Sequence, residues 1–366
     1  MEREGRPRKD ALPTAFEVVM PFAFATATLL PLPLIAAAMV WGGIWALVAP
    51  LALTLLAATL DEIGARLAPP RPGAEFPVSG ALSTAIGWAH FAVLAGAVWA
   101  LAGGWLGALE KAAVFAAAGL WLGQVSNANA HELIHRSARG ARRLGVAVYV
   151  SLLFGHHASA HPLVHHVRVA TRDDPATARR GEGFWRYAPR AWRGGFREGW
   201  RAETARRRAG ARGTHPYRVY AGGAVLAFGA SLLLAEWGGV AAHLALAGFA
   251  QMQLLLSDYV QHYGLERARR GDGRPEPVDA RHSWNSPHPV SSWMMLNAPR
   301  HSDHHARPSR PYPALDLPQA APMLPRSLPV MACLALWPRA WRRVMDPRVA
   351  KWRAAERKGL AAEAAE

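Results

Sequence analysis

The sequence predicts an all-α integral-membrane bundle of six transmembrane helices, with a helical cytoplasmic cap that carries a metal site. Three observations point there. Six apolar runs approach the length of a bilayer crossing, a net charge of +16 is concentrated between and after those runs, and most of the 16 histidines stand in four tight groups. The mean hydropathy of +0.01 hides this pattern, because apolar spans are averaged with arginine-rich segments.

A bilayer core demands about 20 consecutive apolar residues per helix, since lipid offers no partner to an exposed amide. Runs at 20–40, 41–60, 81–103, 109–130, 217–236 and 238–259 satisfy that demand. They pair into hairpins at Trp41-Gly42-Gly43, Gly103-Gly104-Trp105 and Trp237-Gly238-Gly239, where glycine turns the chain and tryptophan suits the interface. None of these turns holds Lys or Arg, whereas 17 arginines lie between His131 and His215. The positive-inside rule therefore places both termini in the cytoplasm. The expected organisation is a cytoplasmic tail at 1–19, four spans at 20–130, a His- and Arg-rich cytoplasmic segment at 131–216, two spans at 217–259 and a His-rich cytoplasmic cap and tail at 260–366.

The first apolar run is too long for a signal peptide and reads as a retained span. The run at 146–154 is too short to cross and should dip into the interface or pack beneath the cap. Segment 181–213, with Phe184, Trp185, Tyr187, Trp192, Phe196 and Trp200 among arginines, suits either the anionic inner leaflet or a solvated charged helix. No soluble basic domain with base-stacking aromatics is visible, so nucleic acid is not an expected partner. Cys333 is the only cysteine. That excludes a disulfide framework, a CxxC zinc site and a cysteine-held iron–sulfur centre within this sequence, leaving His, Asp and Glu as metal ligands.

The histidine groups are His131-Glu-Leu-Ile-His135, His161-Pro-Leu-Val-His165-His166, the single His262 and His301-Ser-Asp-His304-His305. On a helix, spacings of three and four residues put imidazoles on one face a turn apart. The first group ends the fourth span, His262 ends the sixth, and the other two follow on the same side of the membrane. Nine imidazoles exceed what one ion takes and suit two. A single histidine at a helix end is ordinarily an interfacial residue, so His262 gains weight only from its company. His131 to His135 also satisfies His-Glu-x-x-His, the zinc metalloprotease signature with Glu132 as general base, but that reading leaves the other groups without a purpose. Imidazole suits zinc, copper and iron alike; two irons could oxidise a C–H bond, which zinc cannot.

The chain resembles the integral-membrane alkane hydroxylase family (alkane 1-monooxygenases), within the wider group of histidine-rich membrane di-iron hydroxylases and desaturases. The likeness rests on His131-Glu-Leu-Ile-His135-Arg136, His165-His166-Val-Arg-Val-Ala-Thr171 with Asp174-Pro175-Ala176, and Gly181-Glu182-x-Phe184-Trp185-Arg186. It continues through His262-Tyr263-Gly264-Leu265, His282-Ser-Trp-Asn-Ser286, Arg300-His301-Ser-Asp-His304-His305-Ala306 and Arg343-Val-Met-Asp346-Pro347. The resemblance implies that His131, His135, His161, His165, His166, His262, His301, His304 and His305 hold two non-haem iron ions, with no catalytic residue beyond the metal centre. It implies oxygen insertion from O2 at the terminal methyl of a medium- or long-chain alkane, giving a primary alcohol. Electrons would come from rubredoxin, a small acidic iron–sulfur protein, through a rubredoxin reductase and ultimately NADH. The setting would be a bacterial-type inner membrane whose lipid delivers the alkyl-chain substrate.

Three positions depart from the family pattern: Ala160 and Gln261 stand where glutamate is usual, and Arg172 where proline is. Glu132, Asp174 and Asp303 remain as acidic residues that could bridge the ions or support the ligands. His156, His157, His282 and His288 lie nearby without matching ligand positions. The alternatives are a related fatty-acid, carotenoid or aromatic-methyl hydroxylase or desaturase, a membrane zinc metalloprotease, and a non-catalytic metal-binding or transport protein.

Overall fold

The computed structural model describes residues 15–67, 79–318 and 320–363. Most of the tail expected at 1–19 lies outside the described residues, and a helix is already under way at Ala15. Regular structure among the described residues is helical, apart from isolated bridges pairing Arg269 with Pro275 and Asn285 with Met323.

Four helical stretches are long and apolar enough to cross a membrane: Pro21–Trp41, Gly43–Ala65, Ser79–Ala102 and Pro216–Gln261. The first two are joined at Gly42, whose φ of 61° is the left-handed conformation that glycine tolerates. The Glu110 carboxylate clamps this turn from the neighbouring hairpin, accepting from the Gly43 amide at 2.6 Å and the Gly107 amide at 2.8 Å. The expected fourth run is helical but made of three pieces, Ala108–Trp121, a π turn at Leu122–Ser126, and Asn127–Ile134. Gln124, Ser126, Asn127 and Asn129 dilute its apolar character, and it is not among the four. The last two expected runs form one stretch, Pro216–Gln261, interrupted by non-helical dihedrals at Ala235 and Glu236.

That interruption corrects the third expected turn, which falls two residues earlier than Trp237-Gly238-Gly239. Those glycines remain helical and serve close approach instead. A Cβ on Gly239 would stand 2.4 Å from the Ser231 carbonyl oxygen across the hairpin.

Two buried histidines tie the bundle together. His90 Nδ1 and Nε2 lie 2.7 and 2.8 Å from the hydroxyls of Ser126 and Ser151. His243 Nε2 donates to the Ser151 carbonyl at 2.7 Å, and its Nδ1 lies 2.7 Å from Ser231 Oγ. Polar atoms among apolar helices find such partners because an unmet donor there costs several kcal/mol, about the value of a lost hydrogen bond in a dry medium. The short run at 146–154 forms the end of a helix, Arg139–Ser151, whose Val148 and Tyr149 are buried in the bundle.

The remaining elements include Phe184–Arg208, a long amphipathic helix, the short His301–Ala306, and Pro338–Glu363, whose Trp341, Met345 and Val349 are buried. Trp341 meets Tyr259 and Tyr263 with ring centroids 5.3 and 5.2 Å apart. These aromatics hold the end of Pro216–Gln261, and with it His262.

Candidate metal centre

The nine histidines meet in two adjoining groups. His131, His135, His161, His166 and His304 form one; His165, His262, His301 and His305 form the other; within each, one ring nitrogen per residue lies within 4.8 Å of the rest. The adjacent pairs His165-His166 and His304-His305 are each divided between the groups. Neighbouring residues on a helix diverge by about 100°, so an adjacent pair can straddle two ions. The groups touch, with the ring centroids of His166 and His305 4.6 Å apart.

Local backbone geometry decides the partition. His131 and His135 are four apart on Asn127–Ile134 and its cap, with ring centroids 5.2 Å apart, as ordinary helical spacing requires. His161 and His166 are five apart and would face different ways on an α-helix. The segment His161–His165 is instead a π turn, and the amide of His166 bonds to the carbonyl of His161. A π turn closes after five residues, bringing the i+5 side chain back over residue i. His166 Nε2 accordingly sits 2.9 Å from His161 Nε2.

The spacing of these nitrogens fits cations. His161 Nε2 lies 2.7 Å from His131 Nε2 as well as 2.9 Å from His166 Nε2. In the other group His301 Nε2 lies 2.9 Å from His262 Nε2 and 3.1 Å from His305 Nε2. A ring nitrogen carries either one proton or one lone pair in its plane, so it cannot satisfy two neighbours at once. Two nitrogens ~2.1 Å from a common ion and at right angles are ~3.0 Å apart, which is the spacing seen. Among the described residues, His135 Nε2 and His165 Nε2 are buried without a hydrogen-bond partner, as lone pairs that take a ligand would be.

Electrostatics favour the ligating form. Burial, reinforced by the neighbouring imidazoles, holds His161, His166, His304 and His305 far below the ordinary histidine range, and brings His301 to about 3. Neutral imidazole is the form that binds metal. His165 differs: burial pushes it down, but the charge and hydrogen bond of Asp174 outweigh that and raise it.

The three acidic candidates part company. Asp174 Oδ2 accepts from His165 Nδ1 at 2.8 Å and from the Thr177 hydroxyl at 2.6 Å. That bond fixes the proton on Nδ1 and leaves Nε2 free. Glu132 turns to Arg136 at 2.6 Å and to the Tyr312 amide at 3.3 Å. Asp303 is taken up by Arg307, by Arg310 at 2.9 Å and by the Asp316 amide at 3.0 Å. These two brace the loops around the site and give the histidines no hydrogen bond.

Of the histidines outside the groups, His282 lies 3.1 Å from Glu276 and His288 2.9 Å from Ser286 Oγ. His156 packs on Trp192, and His157 stacks 5.1 Å from His161. Ala160 is buried beside the Phe184–Arg208 helix, 3.2 Å from where a Gly199 Cβ would stand, leaving no space for a glutamate. Gln261 donates to the Ala298 carbonyl at 3.0 Å.

Several supports were not singled out by sequence reasoning. Asn285 clasps Ser302, donating to its hydroxyl at 2.7 Å and accepting from its amide at 2.9 Å, and so anchors the helix of His301, His304 and His305. Trp284 donates to the Tyr263 carbonyl at 2.9 Å. Tyr263 donates to Asp346 at 2.7 Å and accepts from the Gly181 amide at 2.8 Å, which explains why His-Tyr-Gly, Trp-Asn-Ser and Asp-Pro occur in one chain. Asp258, one helical turn before His262, is a buried carboxylate whose only sequence signal was an acid at the end of an apolar run.

A cavity of about 670 Å³ opens onto the histidines, with His131, His157, His161 and His301 in its wall. Leu53, Leu120, Phe249, Met252, Leu256 and Leu328 typify the rest of its lining, which contains no Lys or Arg. Leu120 lies eleven residues before His131, about 16 Å along the helix axis. The cavity is therefore long, greasy and closed at one end by imidazoles.

Among known proteins, residues 104–335 match the family model for fatty acid desaturases. The chain is 37% identical over 228 residues to the alkane 1-monooxygenase of Pseudomonas putida, covering 61% of this chain and 56% of that protein. It is 34% identical over 232 residues to alkane 1-monooxygenase 2 of Pseudomonas aeruginosa (62% and 61%), and 34% over 224 residues to the alkane 1-monooxygenase of Acinetobacter baylyi (60% and 55%). The matches thus span between 55 and 61% of the length of these relatives.

Proposed function

Because the chain belongs to the fatty acid desaturase family, we propose that it is a di-iron monooxygenase hydroxylating the terminal methyl of medium- or long-chain alkanes to primary alcohols. The observation that carries the reading is the apolar cavity ending on two groups of imidazoles. One iron would be held by His131, His135, His161, His166 and His304, the other by His165, His262, His301 and His305. Iron bound there would supply the redox chemistry with O2 that zinc lacks. Overall, alkane, O2, two electrons and two protons give alcohol and water.

The chain's own residues do the rest. The cavity wall excludes water and confines an alkyl chain with its end toward His131 and His161. Asp174 keeps the proton on His165 Nδ1, and Asn285 keeps three ligands in register. A free fatty acid fits less well, since its carboxylate would share the cavity with Asp61 and Asp258 and no cation. A zinc protease fits poorly too, because Glu132 is engaged by Arg136 instead of facing a metal-bound water.

Six spans would cross an inner membrane, with 108–134 and the two halves of 216–261 completing the set, and both termini and the histidine-rich cap would lie on its cytoplasmic side. Substrate would enter from the bilayer, and rubredoxin with its reductase would supply electrons. The test is NADH-driven turnover of an alkane series with purified protein, rubredoxin and reductase, together with iron content. His304→Ala and His165→Ala should each lose iron from one group and abolish alcohol formation; full activity in either defeats the assignment.

A further inference from the structure

A second large concavity lies outside the alkane cavity, about 890 Å³ in volume, lined by eight arginines against four carboxylates. It is bounded by residues 167–175, by the Phe184–Arg208 helix and by the 266–275 loop. Arg168 and Arg201 share the single carboxylate of Glu198, at 3.1 and 2.6 Å, while the exposed Arg172 and Arg197 have no ion pair among the described residues. Positive charge is thus in excess along the cleft. Its lining includes Asp174, whose carboxylate touches the ring of His165. The cleft therefore stands one carboxylate away from a member of the four-histidine group.

Helix geometry shows which way it faces. Arg190, Arg197 and Arg201, seven and four residues apart, form one stripe of Phe184–Arg208. Trp185, Trp192, Phe196 and Trp200 form a second stripe, centred roughly 120° around the helix from the first. The aromatic side that would seat the helix in a lipid interface is therefore turned away from the arginines, so a lipid headgroup is not the natural occupant. A nucleotide is disfavoured as well, because no aromatic ring lines the cleft to stack on a base.

We propose that this cleft is the docking surface for a small acidic one-electron carrier protein. The inference rests on the oxygenase reading, which needs two electrons per turnover from outside the chain. Each encounter oxidises the carrier's iron from ferrous to ferric and delivers one electron. Two encounters supply the pair that, with two protons, takes one atom of O2 to water while the other enters the C–H bond. Charge complementarity would set the encounter rate and the orientation, and salt would weaken both.

The test uses oxidised rubredoxin as the probe and the full chain in nanodiscs. Arg172→Glu with Arg197→Glu should raise the dissociation constant about tenfold or more and flatten its salt dependence. The Michaelis constant for reduced rubredoxin should rise in parallel, with turnover at saturating carrier within about twofold. Arg339→Glu with Arg343→Glu, exposed on the Pro338–Glu363 helix, should change neither. Unchanged rubredoxin affinity in the cleft variant, or an equal loss in the control, overturns the proposal. So does a cleft variant that binds rubredoxin normally but is less stable than the native chain only in phosphatidylglycerol nanodiscs, which marks a lipid site. A single turnover after chemical reduction and addition of O2 bypasses the carrier. The cleft variant should give the native yield of alcohol there, and no alcohol from the native chain would sink the oxygenase reading separately.

Discussion

Replacing Asp174 with asparagine removes one negative charge from a buried position and almost none of its volume. In the native chain Oδ2 accepts from His165 Nδ1 at 2.8 Å and Thr177 Oγ1 at 2.6 Å, while Oδ1 accepts from the Ala176 amide at 3.1 Å. An amide can offer its oxygen to one side only. If the oxygen faces His165, the new NH2 confronts the Ala176 N–H and a main-chain donor is left unpaired. If it faces Ala176, the NH2 confronts His165 Nδ1–H and drives the proton to Nε2, removing the lone pair a metal needs. Either way the four-histidine group should bind iron about 10- to 100-fold more weakly, or ~1.4–2.7 kcal/mol, and the five-histidine group should be unaffected. Equilibration against chelator-buffered ferrous iron under argon, with iron per chain measured at each point, resolves the two sites. The variant's second site should fill only at correspondingly higher free iron; two sites filling as in the native chain would refute the role given to Asp174.

Other consequences follow from single contacts. Asn285→Ala leaves the Ser302 amide without its partner, a cost of ~1–3 kcal/mol; the melting temperature should fall and iron should be lost from both groups, since His304 and His305 ride on the same helix. Gly264→Ala meets both a left-handed φ of 72° and a Val349 contact of 2.9 Å, so thermal unfolding should come early by ~1–2 kcal/mol or more, with an unchanged melting curve counting against the packing described. Leu120→Trp fills the far end of the cavity, and product analysis should show the longest accepted alkanes falling about tenfold relative to shorter ones; an unchanged profile would mean the chain lies elsewhere. Burial alone would raise Glu182, but the paired guanidinium of Arg190 and the Arg179 amide hold it below its ordinary value of 4.5. Its stabilisation is therefore whole at neutral pH and lost as pH falls through the carboxylate range. Glu182→Gln should lower the melting temperature at pH 7 and narrow its gap to the native chain at acid pH; a gap that widens on acidification would reverse this sign.

What could be read from the sequence and what could not divides along the range of the interactions. Apolar length marked the helices, and glycine marked the turn at Gly42, because both are properties of short segments. The turn at Ala235 and Glu236 was misplaced because Gly239 is needed for contact with Ser231, a feature of packing and not of dihedral freedom. Histidine spacing identified the nine side chains as a set, but α-helical periodicity could not assign His166 beside His161. That depends on a π turn whose local sequence, His-Pro-Leu-Val-His, carries no plain signature. Carboxylates were the least legible. Asp174, Glu132 and Asp303 looked alike as neighbours of histidines, and only the positions of Arg136, Arg307 and Arg310 show which two are already engaged. Asn285 was quoted within a motif, yet its clasp on Ser302 joins residues 17 apart and required the fold.

In the proposed centre, two groups of imidazoles would hold two redox-active ions at the end of an apolar cavity. Metal content of the purified full chain, measured for iron and zinc together after expression with both available, tests it most directly. Two irons per chain with zinc near zero are expected; a single zinc, or iron bound at one per chain in the native protein, would rule out a two-iron centre.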